Sequence, residues 1–500
     1  MKQLRSFIDT YWFFPVIVLY YGLFYIFYGE RTIINEGLGV DGLVYAEVAK
    51  GNLASGLINN YTVTRLLPAC LVHLVMEIFS VPYSNANIIS VFEAANLLLL
   101  LLSVHYLKKT FILLNINLRT QVLGFVLFLA NIAVLKFSFY CPVGTDTDSL
   151  FLGIMLVYFY TSDNRTGVFL VSLAACFTWP FIAYQGAVMF LFPVDTSTNH
   201  PSARKIFLKL IRAGSVLFAL FFLGYYVFYK KEDIEALFCL RIDKQWIYLS
   251  CLVVLFVFYH FAAPFMNRQL FYKLIKQLRS PAFYARLSIV VITLLSVGYT
   301  YNAMVVDTNP SQFLSLERML SLSFLFSVVR PGFPIVAHFG YFALLVVLLI
   351  FFWKSFSKAI SNHGVGIVLG FTMYLYVMGI MCETRLLTPL FPFLVIFLVK
   401  GINNFRFSNA FYILCGVLSV ISSKIWLTMD YRASAGIDKD GCRDLPDQLL
   451  LMNFGPWMNE LMYQVQGAVM IIFSILIFIT LYRIEIKNNK VEFIPKFTKV

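Results

Sequence analysis

An all-α polytopic membrane protein, with about fourteen transmembrane helices, is the fold class that this 500-residue chain predicts, and three observations carry it. The chain is 60% hydrophobic and only 13% charged, against about 25% charged in average soluble proteins. Its apolar residues lie in near-continuous runs such as 11–28, 87–107, 246–266 and 466–482. Each is close to the ~20 residues that a helix needs to cross the hydrocarbon core. The Lys and Arg residues gather in short clusters beside alternate runs, which is a topology signal and not a nucleic-acid-binding face, although the net charge is +13.

Placing the basic clusters in the cytoplasm sets the order of elements. Lys2 and Arg5 precede the first run; Lys108, Lys109 and Arg119 follow the second; further clusters end at the tail from Arg483. They fall on one side if the spans are 11–28, 87–107, 121–140, 149–161, 167–178, 181–193, 207–229, 245–267, 286–306, 334–353, 364–381, 386–400, 408–426 and 463–482, with both termini cytoplasmic. Met1–Asp9 leads straight into an apolar run without a small-residue cleavage site, so the first span is expected to stay as an anchor. The apolar stretch Leu66–Ser80 must then not cross, because counting it would flip every later loop; it is expected to pack on the outer face of the bundle. It belongs to a long first outer loop, 29–86, followed by a second at 141–148 and a late one at 427–462, all within one membrane domain over 1–500. Spans 149–161, 167–178 and 181–193 are short for ~30 Å of hydrocarbon. Thr178–Trp179–Pro180 reads either as a turn or as a kink.

Several function classes fall away. No Walker A, GxGxxG or HExxH spacing occurs, which argues against an ATP-driven pump, a dinucleotide enzyme and a zinc protease. The eight cysteines lack CxxC spacing, and scattered free thiols are expected over any of three pairings among Cys141, Cys239, Cys382 and Cys442. His73, His105, His260 and His338 have no mutual ligand spacing and read as packing residues, Lys136 reads as an interfacial lysine that snorkels, and 490–500 as a basic interfacial tail. Phe, Ile, Lys and Asn usage fits an AT-rich genome, and hence a bacterial inner membrane.

Three outer segments carry chemistry. In GLGVDGLVYAEVAKG (37–51), a helix would place Asp41 and Tyr45 on one face at i, i+4, after glycines that permit a tight turn. Asp41 there is either a general base toward a hydroxyl or a helix cap. In CPVGTDTDSLFLG (141–153), Asp146 and Asp148 form a DxD that either binds Mg²⁺ or Mn²⁺ through its oxygens or caps the helix starting at Ser149. In MCETRLLTPLFPF (381–393), Arg385 beside Glu383 either grips an anionic group such as a phosphate or forms an ion pair with Glu383 or another outer carboxylate. Arg65 and Arg330 are further outer cations expected to converge on it.

The early Asp41 in GVDGLVYAEVAKG, the following TRLLP, the outer GTDTD and the late ETRLLTPLFPF together resemble the GT-C superfamily of integral-membrane glycosyltransferases. The resemblance spans most of the chain as topology and about three short segments as motifs. It implies a polyprenyl-phosphate-linked sugar as donor, a glycan, lipid or protein acceptor at the outer face, and inversion at the anomeric carbon. It also implies Asp41 as catalytic base, and Asp146 and Asp148 as metal or substrate ligands. Asp41 stands in DG, and not in the DxD or DE of several branches, and no large soluble domain follows the last span, which disfavours oligosaccharyl transfer. A transporter or flippase of a lipid-linked substrate is the rival class, although its charges would sit nearer the midplane. A glycan polymerase or ligase is the third, kept open by Asp430, Arg432, Arg443 and Trp457 in the late loop.

Overall fold

In hydrocarbon the backbone has no partner but itself, so apolar runs are pressed into helices. The computed structural model describes residues 2–32, 34–39, 41–52, 58–194, 268–305, 332–378, 383–427, 460–487, 490–495 and 497–499, with Arg330 and Met458. The expected spans 207–229 and 245–267, most of the late loop, and Cys239, Cys382 and Cys442 lie outside these residues.

The first half runs α1 (Lys2–Tyr28), α2 (Gly42–Ala49), α3 (Leu67–Ile78), α4 (Asn85–Leu113), α5 (Leu118–Leu129), α6 (Phe137–Tyr140), α7 (Asp146–Thr161), α8 (Arg165–Cys176) and α9 (Pro180–Leu191). Polar caps start several of them: Ser84, Asn117 and Asn164 accept from the backbone N–H of Asn87, Thr120 and Gly167. The later helices are Arg268–Leu278, Pro281–Met304, Phe333–Phe342, Leu344–Ser361, Val365–Met378, a 3₁₀ turn Thr384–Leu390 continuing as Phe391–Ile402, Asn409–Ser423 and Glu460–Leu481. The tail expected as a plain basic segment instead pairs as antiparallel strands, β2 (Tyr482–Lys487) with β3 (Lys490–Pro495), while β4 (Thr498–Lys499) pairs with β1 (Phe405–Arg406).

Among the described residues, five helices are long and apolar enough to cross a membrane, or six if one bent pair counts as a span. Of the other expected spans that fall on described residues, several are broken or short. The run 121–140 splits into Leu118–Leu129 and Ile132–Tyr140 with a bend of 58°. Asn131 causes it, since its side chain takes the Ala133 N–H away from the helical ladder. The run 334–353 splits at Ala343, whose φ of 57° and ψ of −138° no helix can accommodate. At 178–180 the chain turns: Trp179 is extended and Pro180 opens α9. The stretch expected to lie on the outer face forms α3, whose 12 residues rise about 18 Å and so fall short of a crossing.

Thr384–Ile402 is the innermost of the candidate spans, 83% buried, whereas Pro281–Met304 is 17% buried and turns most of its apolar surface outward. α7 lies against that inner segment at a contact which permits no side chain. A Cβ on Gly153 would come within 2.3 Å of the Pro389 carbonyl oxygen. Gly153→Ala is therefore expected to destabilise the protein by about 1–3 kcal/mol, read as a lowered melting temperature in detergent. A melting temperature equal to wild type would mean that the two elements are free to slide apart.

The segment after α1 is tied down before it reaches Asp41. Arg31 forms a two-pronged ion pair with Glu93 of α4, at 2.7 and 2.8 Å, and the Thr32 N–H donates to the Tyr140 carbonyl at 2.9 Å. Asn96 of α4 donates to the carbonyls of Ser138 and Pro142, at 2.8 and 3.0 Å, so one helix anchors both the segment after α1 and the one before α7. Lys136 was expected to snorkel; it is buried, and its ammonium donates to the Leu427 carbonyl.

Candidate functional site

Approach of the segment before α2 to the segment before α7 depends on glycine. After Asn35 and Glu36, both in the left-handed region, Gly37 and Gly39 keep positive φ values of 97° and 81°. A Cβ on Gly39 would lie 2.6 Å from Cys141 Sγ, and one on Gly42 would lie 2.8 Å from the Val143 carbonyl oxygen. The start of α2 thus rests directly on the segment leading into α7.

Asp41 occupies the N-cap position of α2, yet its side chain makes no capping hydrogen bond. The carboxylate turns instead to Arg385, whose Nη2 lies 3.0 Å from Asp41 Oδ2. Arg385 Nε lies 3.5 Å from Asp146 Oδ1, an ion pair without hydrogen-bond alignment. The side chains are 24%, 20% and 17% exposed for Arg385, Asp41 and Asp146, so water reaches the cluster from one side. Among the described residues, Asp41 Oδ1 accepts no hydrogen bond. Of the two courses open to Arg385 from the sequence, the geometry takes the ion pair, with Asp41 and Asp146 and not with Glu383. The 3₁₀ turn that holds Arg385 is fixed by Thr388 Oγ1 donating to the Arg385 carbonyl at 2.6 Å and by a His338–Thr384 contact of 2.9 Å.

Tyr45 stands one turn beyond Asp41, as the i, i+4 spacing predicts, and is 2% exposed. Its hydroxyl has no hydrogen-bond partner, and burial raises the phenol well above its ordinary range. Arg65 ends the 3₁₀ turn Thr62–Arg65 and is 5% exposed. Its guanidinium lies between two rings, with Cζ 4.4 Å from the centroid of Tyr61 and 4.1 Å from that of Trp179. Among the described residues it forms no ion pair, and its Nε has no hydrogen-bond partner. Trp179 Nε1 is likewise buried without a partner. Arg65 is close enough to Tyr45 and Glu383 to bias both electrostatically. Burial raises the Glu383 carboxyl above its usual range, against the pull of Arg385 and Arg65.

Two expectations need correction. Arg330 does not converge on the cluster: it pairs with Glu460 Oε2 at 2.7 Å and donates to the Met458 carbonyl at 2.5 Å. Asp146 and Asp148 do not lie in a loop, and neither is a cap; both fall in the first turn of α7, with Thr145 at the N-cap. Two residues apart on a helix, they are turned about 200° from each other, so they do not form a pincer. Among the described residues, no group of three His, Cys, Asp or Glu side chains is placed to hold a metal ion. Tyr61 and Trp179 were missed as site residues. Tyr61 was legible as an i, i+4 partner of Arg65, whereas Trp179 offered only its place before a proline.

Burial and the neighbouring Asp146 charge push the Asp148 carboxyl from 3.8 up to about 7. The folded protein therefore holds this proton to higher pH than the unfolded chain. The resulting stability is full below the unfolded value of 3.8 and is lost as the pH rises through about 7. Asp148→Asn mimics the neutral form and is expected to flatten the fall in melting temperature between those two pH values. A slope unchanged from wild type would assign the pH dependence to another group.

The five or six long apolar helices among the described residues are those of an all-α membrane protein. No family model matches the chain, and no curated protein or solved structure matches it either.

Proposed function

We propose that this chain is an integral-membrane glycosyltransferase. It would transfer a sugar from a polyprenyl-phosphate donor to an acceptor hydroxyl at the outer face of a bacterial inner membrane. The observation that carries this reading is the meeting of Asp41 with Arg385 and Asp146, next to Arg65, which is buried and has no ion pair among the described residues. The full topology belongs to the same proposal: about fourteen spans with both termini cytoplasmic.

Each residue has a distinct task in the transfer. Asp41, oriented by Arg385 through Oδ2, takes the acceptor hydroxyl proton on Oδ1. The acceptor oxygen bonds to the anomeric carbon as the bond from that carbon to the phosphate oxygen breaks, which inverts the centre. The leaving polyprenyl phosphate carries the negative charge away. Arg385 was expected to receive it, but its charge is already engaged by two carboxylates. Arg65 takes that task in this reading: its guanidinium lies against the Tyr61 and Trp179 rings, and among the described residues its Nε and the Trp179 N–H are donors without partners. Tyr45 and Glu383 each lie close enough to both Arg65 and Asp41 to feel their charges.

The test supplies purified protein with a radiolabelled polyprenyl-phosphate sugar and candidate acceptors. Label on an acceptor, lost in Asp41→Asn, is the expected result. Movement of the donor across liposomes without a covalent product would instead establish a flippase. Topology has its own test, in a background without reactive native cysteines. A cysteine at Asn60 is expected to react with an impermeant thiol reagent from outside, and cysteines at Ser162 and Asn362 are not. Labelling of Ser162 from outside would reverse the bundle and place the cluster on the cytoplasmic side.

A further inference from the structure

We infer that Arg385 is a built-in substitute for a divalent cation: its guanidinium bridges Asp41 and Asp146, so the centre works without Mg²⁺ or Mn²⁺. Three observations lead there. First, the side chain already stands between the two carboxylates, 3.0 Å from one and 3.5 Å from the other. A metal ion serving both would have to occupy the same space, and beside the guanidinium it would meet a like charge. Second, the remaining donors do not make up a coordination shell. Mg²⁺ requires near-octahedral oxygen geometry at about 2.0–2.1 Å. Asp148 is turned away from Asp146 by the helix, and no metal-holding group of three such side chains exists among the described residues. Third, Arg385 is built in place. Its carbonyl accepts from Thr388, its neighbour Thr384 is held by His338, and the backbone at Pro389 is pressed against Gly153. A flexible surface arginine has no such frame.

The bridge links segments 344 residues apart in sequence, which a dissociable ion would do only while bound. Charge balance makes the exchange testable. Asp41, Asp146 and Arg385 sum to −1, whereas removing the guanidinium leaves −2, the charge that suits a divalent ion. Arg385 is a positioning residue here: it orients Asp41 and does not itself touch the sugar.

The experiment is Mn²⁺ binding to detergent-purified protein, followed by electron paramagnetic resonance. Wild type is expected to show no Asp41-dependent site. Arg385→Ala, or Arg385→Ser if the alanine variant does not fold, is expected to gain one, so that its overall Mn²⁺ affinity exceeds that of wild type at least about tenfold. The gain should disappear when Asp41→Asn is added and should be absent from Arg385→Lys, which keeps a cation in place. An Asp41-dependent Mn²⁺ site in wild type would overturn the inference. So would a folded Arg385→Ala or Arg385→Ser protein that binds Mn²⁺ no better than wild type. The turnover arm rests on the proposed transfer reaction: a chelator should leave wild-type transfer unchanged. The binding arm does not depend on that reaction, so failure of the two ideas can be told apart.

Discussion

Asp41→Asn is expected to lower sugar transfer by about 10²–10⁴-fold, because the amide keeps the shape of the carboxylate and removes its basicity. The fold should survive. Asp41 makes no capping hydrogen bond to α2, so the helix loses nothing at its start. Arg385 keeps Asp146 as a counter-charge, and the pair is open enough to water for the loss of one partner to be modest. Activity assays together with a melting curve separate the two roles. A variant that melts like wild type and transfers at the wild-type rate would leave Asp41 as a structural partner of Arg385 and nothing more.

The second large effect is expected at Arg65. Replacing it by Gln removes the one cation of the cluster region that is buried, stacked and without an ion pair among the described residues. Charge-assisted hydrogen bonds contribute about 1.5–3 kcal/mol, and with ~1.4 kcal/mol per tenfold this corresponds to about 10- to 150-fold weaker donor binding. Arg65→Lys should recover only part of it, because an ammonium has neither the planar face for two rings nor the forked donors. Loss of the stack also costs about 0.5–2 kcal/mol of stability, a separate readout. Arg385→Gln should behave differently: it should disturb turnover through Asp41 more than it disturbs donor affinity. Equal losses of donor affinity in the two variants would return the phosphate to Arg385.

Much of the site was written in local patterns. The spacing of Asp41 and Tyr45 placed both on one helical face, and the glycines ahead of them marked a turn that only residues tolerant of positive φ can make. Arg385 stood out because an arginine among apolar runs needs a partner. Which partner was not legible, since Asp41, Asp146 and Glu383 were equal candidates until the Gly153 contact set α7 against the 3₁₀ turn. Arg330 shows the opposite outcome. In sequence it looks like the other outer cations, yet Glu460 and Met458 hold it elsewhere.

Composition and periodicity alone determined the class of this protein, because a chain so apolar can satisfy its backbone in hydrocarbon only by coiling into helices. They also marked the few charges next to apolar runs as candidates, since a charge drawn into hydrocarbon needs a partner. Helix breaks at Asn131 and Ala343 were decided by the tertiary structure, because a local side-chain bond or a single backbone angle interrupts a run that hydropathy reads as continuous. It likewise decided the partners of two arginines that the sequence could not rank. Arg385 is neutralised by carboxylates that reach it only through folding, and Arg65 lies against two aromatic rings, with an Nε that has no hydrogen-bond partner among the described residues. Charge pairing acts over a few ångströms of space, whatever the distance along the chain, and that distance is set by packing.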